Sequence, residues 1–276
     1  MNPMEPVTSL LTGHLAGKLV DRVSRSFRTN VIERWSKRRA NNFFQQFCRE
    51  VEIELAGGRS EELETLLDKM LQDEHSTELL FDAYRRVSLS RSKAIGPRVI
   101  GILTAKLAIE QRDPTGAEES MLDAAEQLYD VELIEFASFI GDYRRRAADE
   151  KQDDVNLCDR GILKIKWNSE QLDSNWRREF DVSLGPLNLN DSCGSWATKM
   201  ESLGIIQTDL TEKKWDYQED GERHIDQYGS VREITWWIIT WDTYFAFADM
   251  IDRVNYEHAT EQSDPPKSPV GREFES

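Results

Sequence analysis

The stretch 229-GSVREITWWIITWDTYFAFADMI-251 decides how the second half of the chain is read. It sets Trp236, Trp237 and Trp241 within six positions of an acidic chain. Three structures would use such aromatic density: a membrane anchor, a platform for stacking bases, or the closing piece of a folded module. Neighbouring strand residues face opposite sides. Val231, Glu233, Thr235, Trp237 and Ile239 then share one face, and Arg232, Ile234, Trp236 and Ile238 the other. Both faces turn apolar towards Trp236–Ile239, which predicts a strand end covered on both sides. Thr240 is positioned to cap a following helix, with Asp242 near its positive end and a buried stripe of Tyr244, Phe247, Ala248 and Ile251. An interfacial anchor calls for basic neighbours, but Asp242, Asp249 and Asp252 follow instead. Core packing is the reading that fits.

Working back from this strand, "GILKIKW" (161–167) alternates and predicts another. "LNDSCGSWATKMESLGII" (189–206) predicts a helix that hands over to a strand in "SLGIIQTDL". "KKWDYQEDGERHIDQYG" (213–229) reads as a polar loop. Strand, helix, strand, loop, strand and helix in that order match a winged helix, with the loop as its wing. "AADEKQDDVN" (147–156) is charged enough to mark a boundary, and "EQSDPPKSPVGREFES" reads as a disordered tail. The expected domains are therefore a helical one over 1–150, a winged-helix-like one over 151–257, and a tail over 258–276.

Residues 7–148 read as helical throughout. Leu11, Leu15, Leu19, Val23, Phe27, Val31 and Trp35 recur every fourth position, a long amphipathic stripe. It continues through Phe43, Phe44, Phe47, Val51 and Leu55, with a break expected near "RRANN" (38–42) and a stop at Gly57-Gly58. Ser60 and Ser76 are candidate caps, and Pro97 suits a first helical position. Thr115 and Glu118 have capping-box spacing. Leu133, Phe136, Ile140 and Tyr143 line one side of a helix whose end carries Arg144, Arg145 and Arg146. The fold class expected is mainly α: an N-terminal helical bundle followed by a winged-helix-like α+β module.

The segments "SRSKAIGPRVIGILTAKLAI", "MLDAAEQLYDVELIEFASF" and "MESLGII", with the late aromatic strand, resemble the abortive-infection alpha family over roughly residues 30–255. That family was long catalogued as a bacterial domain of unknown function. The motifs are hydrophobic patterns, not catalytic ones. The resemblance implies a bacterial protein tied to phage defence, helical with a winged-helix-like C-terminal part. It brings no catalytic residue to this chain.

Chemistry is sparse in the sequence. There is no phosphate-cradling glycine loop, His-Glu zinc motif, nucleophile elbow or paired-cysteine metal site. No catalytic residue, metal ligand or cofactor is assigned, and a non-enzymatic protein is expected. His14, His75, His224 and His258 read as surface or capping residues, and the acidic pairs Glu61/Glu62, Asp153/Asp154 and Glu219/Asp220 as solvated charge. Cys48, Cys158 and Cys193 are odd in number and widely spaced, which points to a reducing cytoplasm. The N-terminus lacks a secretory pattern, and no apolar run is long enough to cross a membrane.

Charge separates the functional readings. The chain carries −16 overall, but residues 1–60 carry +4, residues 61–150 carry −9 and residues 151–276 carry −11. Polyanions should meet the first segment and be repelled by the rest. Arg22, Arg25, Arg28, Arg34, Lys37, Arg38 and Arg39 form a candidate basic contact surface. It could meet nucleic acid, anionic lipid, or the acidic part of the same chain or of a second copy, released in that case by a competing phage product. Ser195, Trp196, Lys199 and Met200 mark the candidate interaction helix that would enter a DNA groove. It offers one lysine, and the wing tip "QEDGER" is acidic. Phosphate contact dominates DNA affinity, so nucleic-acid binding by this module is not expected. The leading expectation is a sensor or effector of phage defence that acts through contacts with a protein partner or phage component, with homo-oligomerisation open. The alternatives are a winged-helix DNA-binding regulator and a membrane-acting effector using residues 7–35.

Overall fold

A computed structural model describes residues 33–54, 68, 72–148, 154–158, 161–175, 187–219 and 227–263. Five helices come first: α1 (Glu33–Glu54), α2 (Glu74–Leu89), α3 (Ile95–Glu110), α4 (Gly116–Gln127) and α5 (Asp130–Ala147). Then follow β1 (Val155–Cys158), β2 (Ile162–Asn175), α6 (Leu189–Cys193), α7 (Ser195–Ser202), β3 (Ile206–Glu219), β4 (Gln227–Trp241), a 3-10 turn (Asp242–Tyr244) and α8 (Phe245–Ser263). The described chain is mainly helical with one antiparallel four-stranded sheet, as expected at that level.

Helix α3 is the axis of the helical part. It is buried on almost every side, from Ile95 to Ala108, which is how a helix apolar all round must sit. Helix α1 lies against it through Phe43, Phe44, Phe47 and Val51, all fully buried. The two backbones approach closely at Gly101: a methyl group there would sit 2.7 Å from the Phe43 carbonyl oxygen and 3.2 Å from the Phe47 amide. The break expected at residues 38–42 does not occur. Arg39 and Asn42 instead reach sideways and donate to the Ser92 and Lys93 carbonyls at 3.1 Å each, so these polar residues anchor the helix to its neighbour.

The cap expected at Ser76 belongs to Asp73, whose carboxylate accepts from the Ser76 amide at 2.8 Å and its hydroxyl at 2.7 Å. Pro97 is the third residue of α3, still within the turn whose amides lack helical partners. The Thr115–Glu118 capping box forms as read. Arg112 clamps its glutamate at 2.6 and 2.7 Å.

The sheet departs further from the sequence reading. Its order is β1-β2-β4-β3. β1 arises in the segment expected as a polar boundary, pairing Val155 with Ile165 and Cys158 with Ile162. Much of the expected loop 213–229 is strand: β3 and β4 stay in register from Ile206↔Thr240 to Glu219↔Gln227. Cross-strand bonds hold it, including Arg232 to Glu212 at 2.8 Å and Trp237 Nε1 to Thr211 Oγ1 at 2.8 Å. The expected helix 189–206 is two helices, because Gly194 at φ +101 turns the chain between α6 and α7.

The aromatic strand is only partly the core element expected. Ile234 and Ile238 are buried, whereas Trp236, Trp237 and Trp241 are half-exposed along its flanks. Thr240 does not cap a helix. It is buried in β4 and donates to the Ile205 carbonyl at 2.9 Å, closing the sheet. The helix after it carries the expected stripe of Phe247, Ala248 and Ile251, extended by Val254. It runs on to Ser263, past residue 258 where the tail was expected to begin. One contiguous cluster of buried side chains runs from Ala40 to Val254, and Phe136 of α5 joins its parts by packing on Trp196 and Phe247.

Candidate interaction surface

Four helix ends converge on the loop Ser90–Ala94, and what they do there begins with a missing cap. The N-cap position of α3 is Ala94, which has no side chain able to accept. Asp130, at the start of α5, supplies the acceptor from outside the helix. Its carboxylate takes the amides of Lys93 at 3.1 Å, Ala94 at 3.3 Å and Ile95 at 2.9 Å, and the Ser92 hydroxyl. The Ser92 oxygen in turn accepts from the Gly96 amide at 2.6 Å. A carboxylate against the positive end of a helix is favoured by the dipole as well as by the bonds.

The rest of the loop is tied with equal care. Ser90 Oγ donates to the Ala125 carbonyl at 3.1 Å, and the Arg91 amide to the Glu126 carbonyl at 2.9 Å. The Arg39 and Asn42 bonds fix its other side. At the far side of α3's first turn, buried Arg98 pairs with Glu261 of α8. The loop is thus tied down through its backbone and its buried serines, with only the Arg91 and Lys93 side chains outward.

Those side chains make a mixed surface. Arg91, Lys93 and Arg38 are exposed, and their side chains form no ion pair among the described residues. Beside them stand large apolar groups left in water: Leu89 at 61%, Tyr129 at 54% and Val131 at 63% exposure. Aromatic residues and arginine on a rigid backbone are the usual makings of a protein-binding hot spot.

A second feature lies along α2. A cleft of about 290 Å³ is lined by His75, Glu78, Asp82, Arg86, Asp113 and Leu122, among others. Arg86 is spoken for, bonding Glu119 at 2.6 Å and Asp123, with Glu126 at 3.7 Å. Burial works to raise the Glu126 carboxyl, and it prevails over Arg86. His75 Nδ1 lies 3.9 Å from Asp113, and its buried Nε2 has no hydrogen-bond partner.

The residues singled out from sequence are distributed as follows. Arg22, Arg25 and Arg28 lie outside the described residues, as does most of residues 7–35. Arg34 is the second residue of α1, and its side chain is not described. Lys37 and Arg38 are exposed, Lys37 on the side of α1 away from the loop, and Arg39 is tied to Ser92. In α7, Trp196 and Met200 are buried, Trp196 packing 5.1 Å from Phe139. Ser195 and Lys199 are committed to Glu132, at 2.6 Å each. Burial works to raise the Glu132 carboxyl, but bonds from Lys199, Ser195 and the Tyr129 amide outweigh it and hold it below its ordinary range. Lys199 also lies over the Tyr129 ring at 5.3 Å. The interaction helix is therefore a packing helix on its Trp196 side.

Asp154 is paired with Arg146, and the pair Glu61/Glu62 lies outside the described residues, as do His14 and His224. No group of three or more potential metal ligands occurs among the described residues, and no described helix is long and apolar enough to cross a membrane. Sequence reading passed over Leu89, Arg91, Lys93, Tyr129 and Val131. The only signal was "SLSRSKAIG", a polar interruption between two apolar helices. Compared with protein-family models, with curated proteins and with solved structures, the chain matches none.

Proposed function

We propose that this is a bacterial anti-phage protein of the abortive-infection type that acts as a sensor or effector through protein contacts. The resemblance of its helical segments suggests the biology. The observation that carries the contact mode is the Ser90–Ala94 loop, tied down through its backbone, with exposed Leu89, Tyr129 and Val131 around it and with Arg38, Arg91 and Lys93, whose side chains form no ion pair among the described residues. The contacted protein offers carboxylates and apolar side chains.

The test is plaque formation on cells with and without the gene, across a phage panel. Protection by the wild type and its loss, about tenfold or more, in Arg91→Glu/Lys93→Glu at equal protein level supports the proposal. An unprotected wild-type strain removes the defence role, and undiminished protection by the double variant removes the surface.

One observation favours a second reading, a winged-helix regulator. The strand order β2-β4-β3, with α6 and α7 between β2 and the hairpin, is the order such a module has. Against DNA contact stand the buried Trp196 and Met200 and the engaged Lys199. A salt-sensitive mobility shift of the full chain on duplex DNA at low ionic strength would reverse this ranking.

A further inference from the structure

We infer that the basic surface of one copy docks in the acidic cleft along α2 of a second copy, in a head-to-tail contact. This rests on the reading of the Ser90–Ala94 loop as a contact surface and names its partner.

The two features are complementary in charge: the loop lies past the end of α2, and the cleft runs along the helix from His75 to Arg86. The loop follows the C-terminus of α2, whereas Glu78 and Asp113 gather around its N-terminal half. The helix has 16 residues, which is about 24 Å of length. The side chains of Arg91 and Lys93 form no ion pair among the described residues of their own copy. The cleft keeps its charge, because Arg86 is bound up with Glu119, Asp123 and Glu126, and Glu78 meets no cation among the described residues. Asp82 has only a surface contact of 3.5 Å with Arg85. The apolar groups match too: Leu79, Ala83 and Leu122 line the cleft, and Leu89 and Val131 border the loop.

Because the two patches differ, the contact is heterologous. It leaves a free patch at each end and so builds an open series of copies, not a closed dimer. The overall charge of −16 opposes association at long range. At physiological ionic strength that repulsion is screened beyond about 8 Å, while the contact itself is not.

Sedimentation velocity on the full chain tests the contact, with circular dichroism as the folding control. The wild type at physiological salt should rise with concentration to at least twice the 32.0 kDa monomer mass. It should return to monomer at about 0.6 M salt, where screening acts within about 4 Å. Arg91→Glu/Lys93→Glu alone should stay monomeric, and so should Glu78→Lys/Asp82→Lys alone. Mixed together, the two variants should associate, because each then presents the complement of the other at both patches. A monomeric wild type at all concentrations overturns the inference. So does association of either variant alone at wild-type strength, or a mixture that stays monomeric. If the wild type is monomeric yet Arg91→Glu/Lys93→Glu abolishes protection from phage, the surface serves another protein: the functional reading stands and the self-contact falls.

Discussion

Replacing Asp130 by alanine is the sharpest test of how the contact loop is held. One carboxylate accepts three successive amides and the Ser92 hydroxyl, and it does so for a helix whose own N-cap is an alanine. Loss of a helix cap alone costs about 1 kcal/mol. Here the Ala94 and Ile95 amides belong to buried residues, and a buried donor stripped of its partner costs about 1–3 kcal/mol. The Lys93 amide belongs to an exposed residue and can turn to water. Asp130→Ala should therefore destabilise the protein by about 3 kcal/mol. Asp130→Asn keeps an acceptor oxygen but not the charge against the helix dipole, and should lose about 1 kcal/mol. Urea denaturation gives both values, and hydrogen exchange at residues 93–96 reports where the loss is felt. Under Asp130→Ala those amides should exchange at least tenfold faster than amides in the middle of α3. A change below about 0.5 kcal/mol with unaltered exchange would mean that the loop is held by its other bonds, and the account of its rigidity would be wrong.

Three further outcomes follow from the packing and the charges. Gly101→Ala places a methyl group against the α1 backbone, and forcing two packed helices apart should cost about 3 kcal/mol in chemical denaturation. The Glu118 carboxyl is pushed down to about 2, first by the Arg112 bond. A depressed carboxyl contributes its full stability above about pH 4.5 and loses it as pH falls towards 2. The loss should be about 2 kcal/mol, allowing for the partial exposure of Arg112, and Arg112→Ala should diminish it in acid titrations of stability, leaving the part held by the Thr115 amide and hydroxyl. Burial pushes the Cys48 thiol up to about 12, so a thiol reagent at mildly alkaline pH should label Cys48 only after denaturant is added.

The sequence was most legible where structure is local. The fourfold spacing of Phe43, Phe47 and Val51, the Thr115–Glu118 box and the Phe247–Ile251 stripe each depend on residues within a turn or two, and each stands as read. Strands in alternating segments were legible as well, though their lengths were not. Lys213 to Glu219 looks like loop because its pairing energy comes from β4, across the hairpin. β1 was hidden for the same reason: nothing in "DDVNLC" announces that β2 will fold back beside it. The tryptophans misled because aromatic density suggests burial, whereas isoleucines fill the interior of that strand. The contact loop was illegible altogether. Its order depends on Asp130, Arg39 and Asn42, whose positions beside it exist only once four helices have packed.

The last helix has a consequence for how the protein is made. α8 inserts Phe247, Ile251 and Val254 into the cluster that begins with Ala40, and Arg253 reaches Glu50 at 2.7 Å. During synthesis at about 5–20 residues per second, roughly 10–40 seconds separate the emergence of these partners. Until α8 emerges, Glu50 lacks Arg253 and Phe136 of α5 lacks Phe247. Contacts so distant along the chain also slow the final collapse. The nascent polypeptide should therefore be a chaperone client until α8 clears the ribosome, and shortening α8 should expose the side of α5 that carries Phe136.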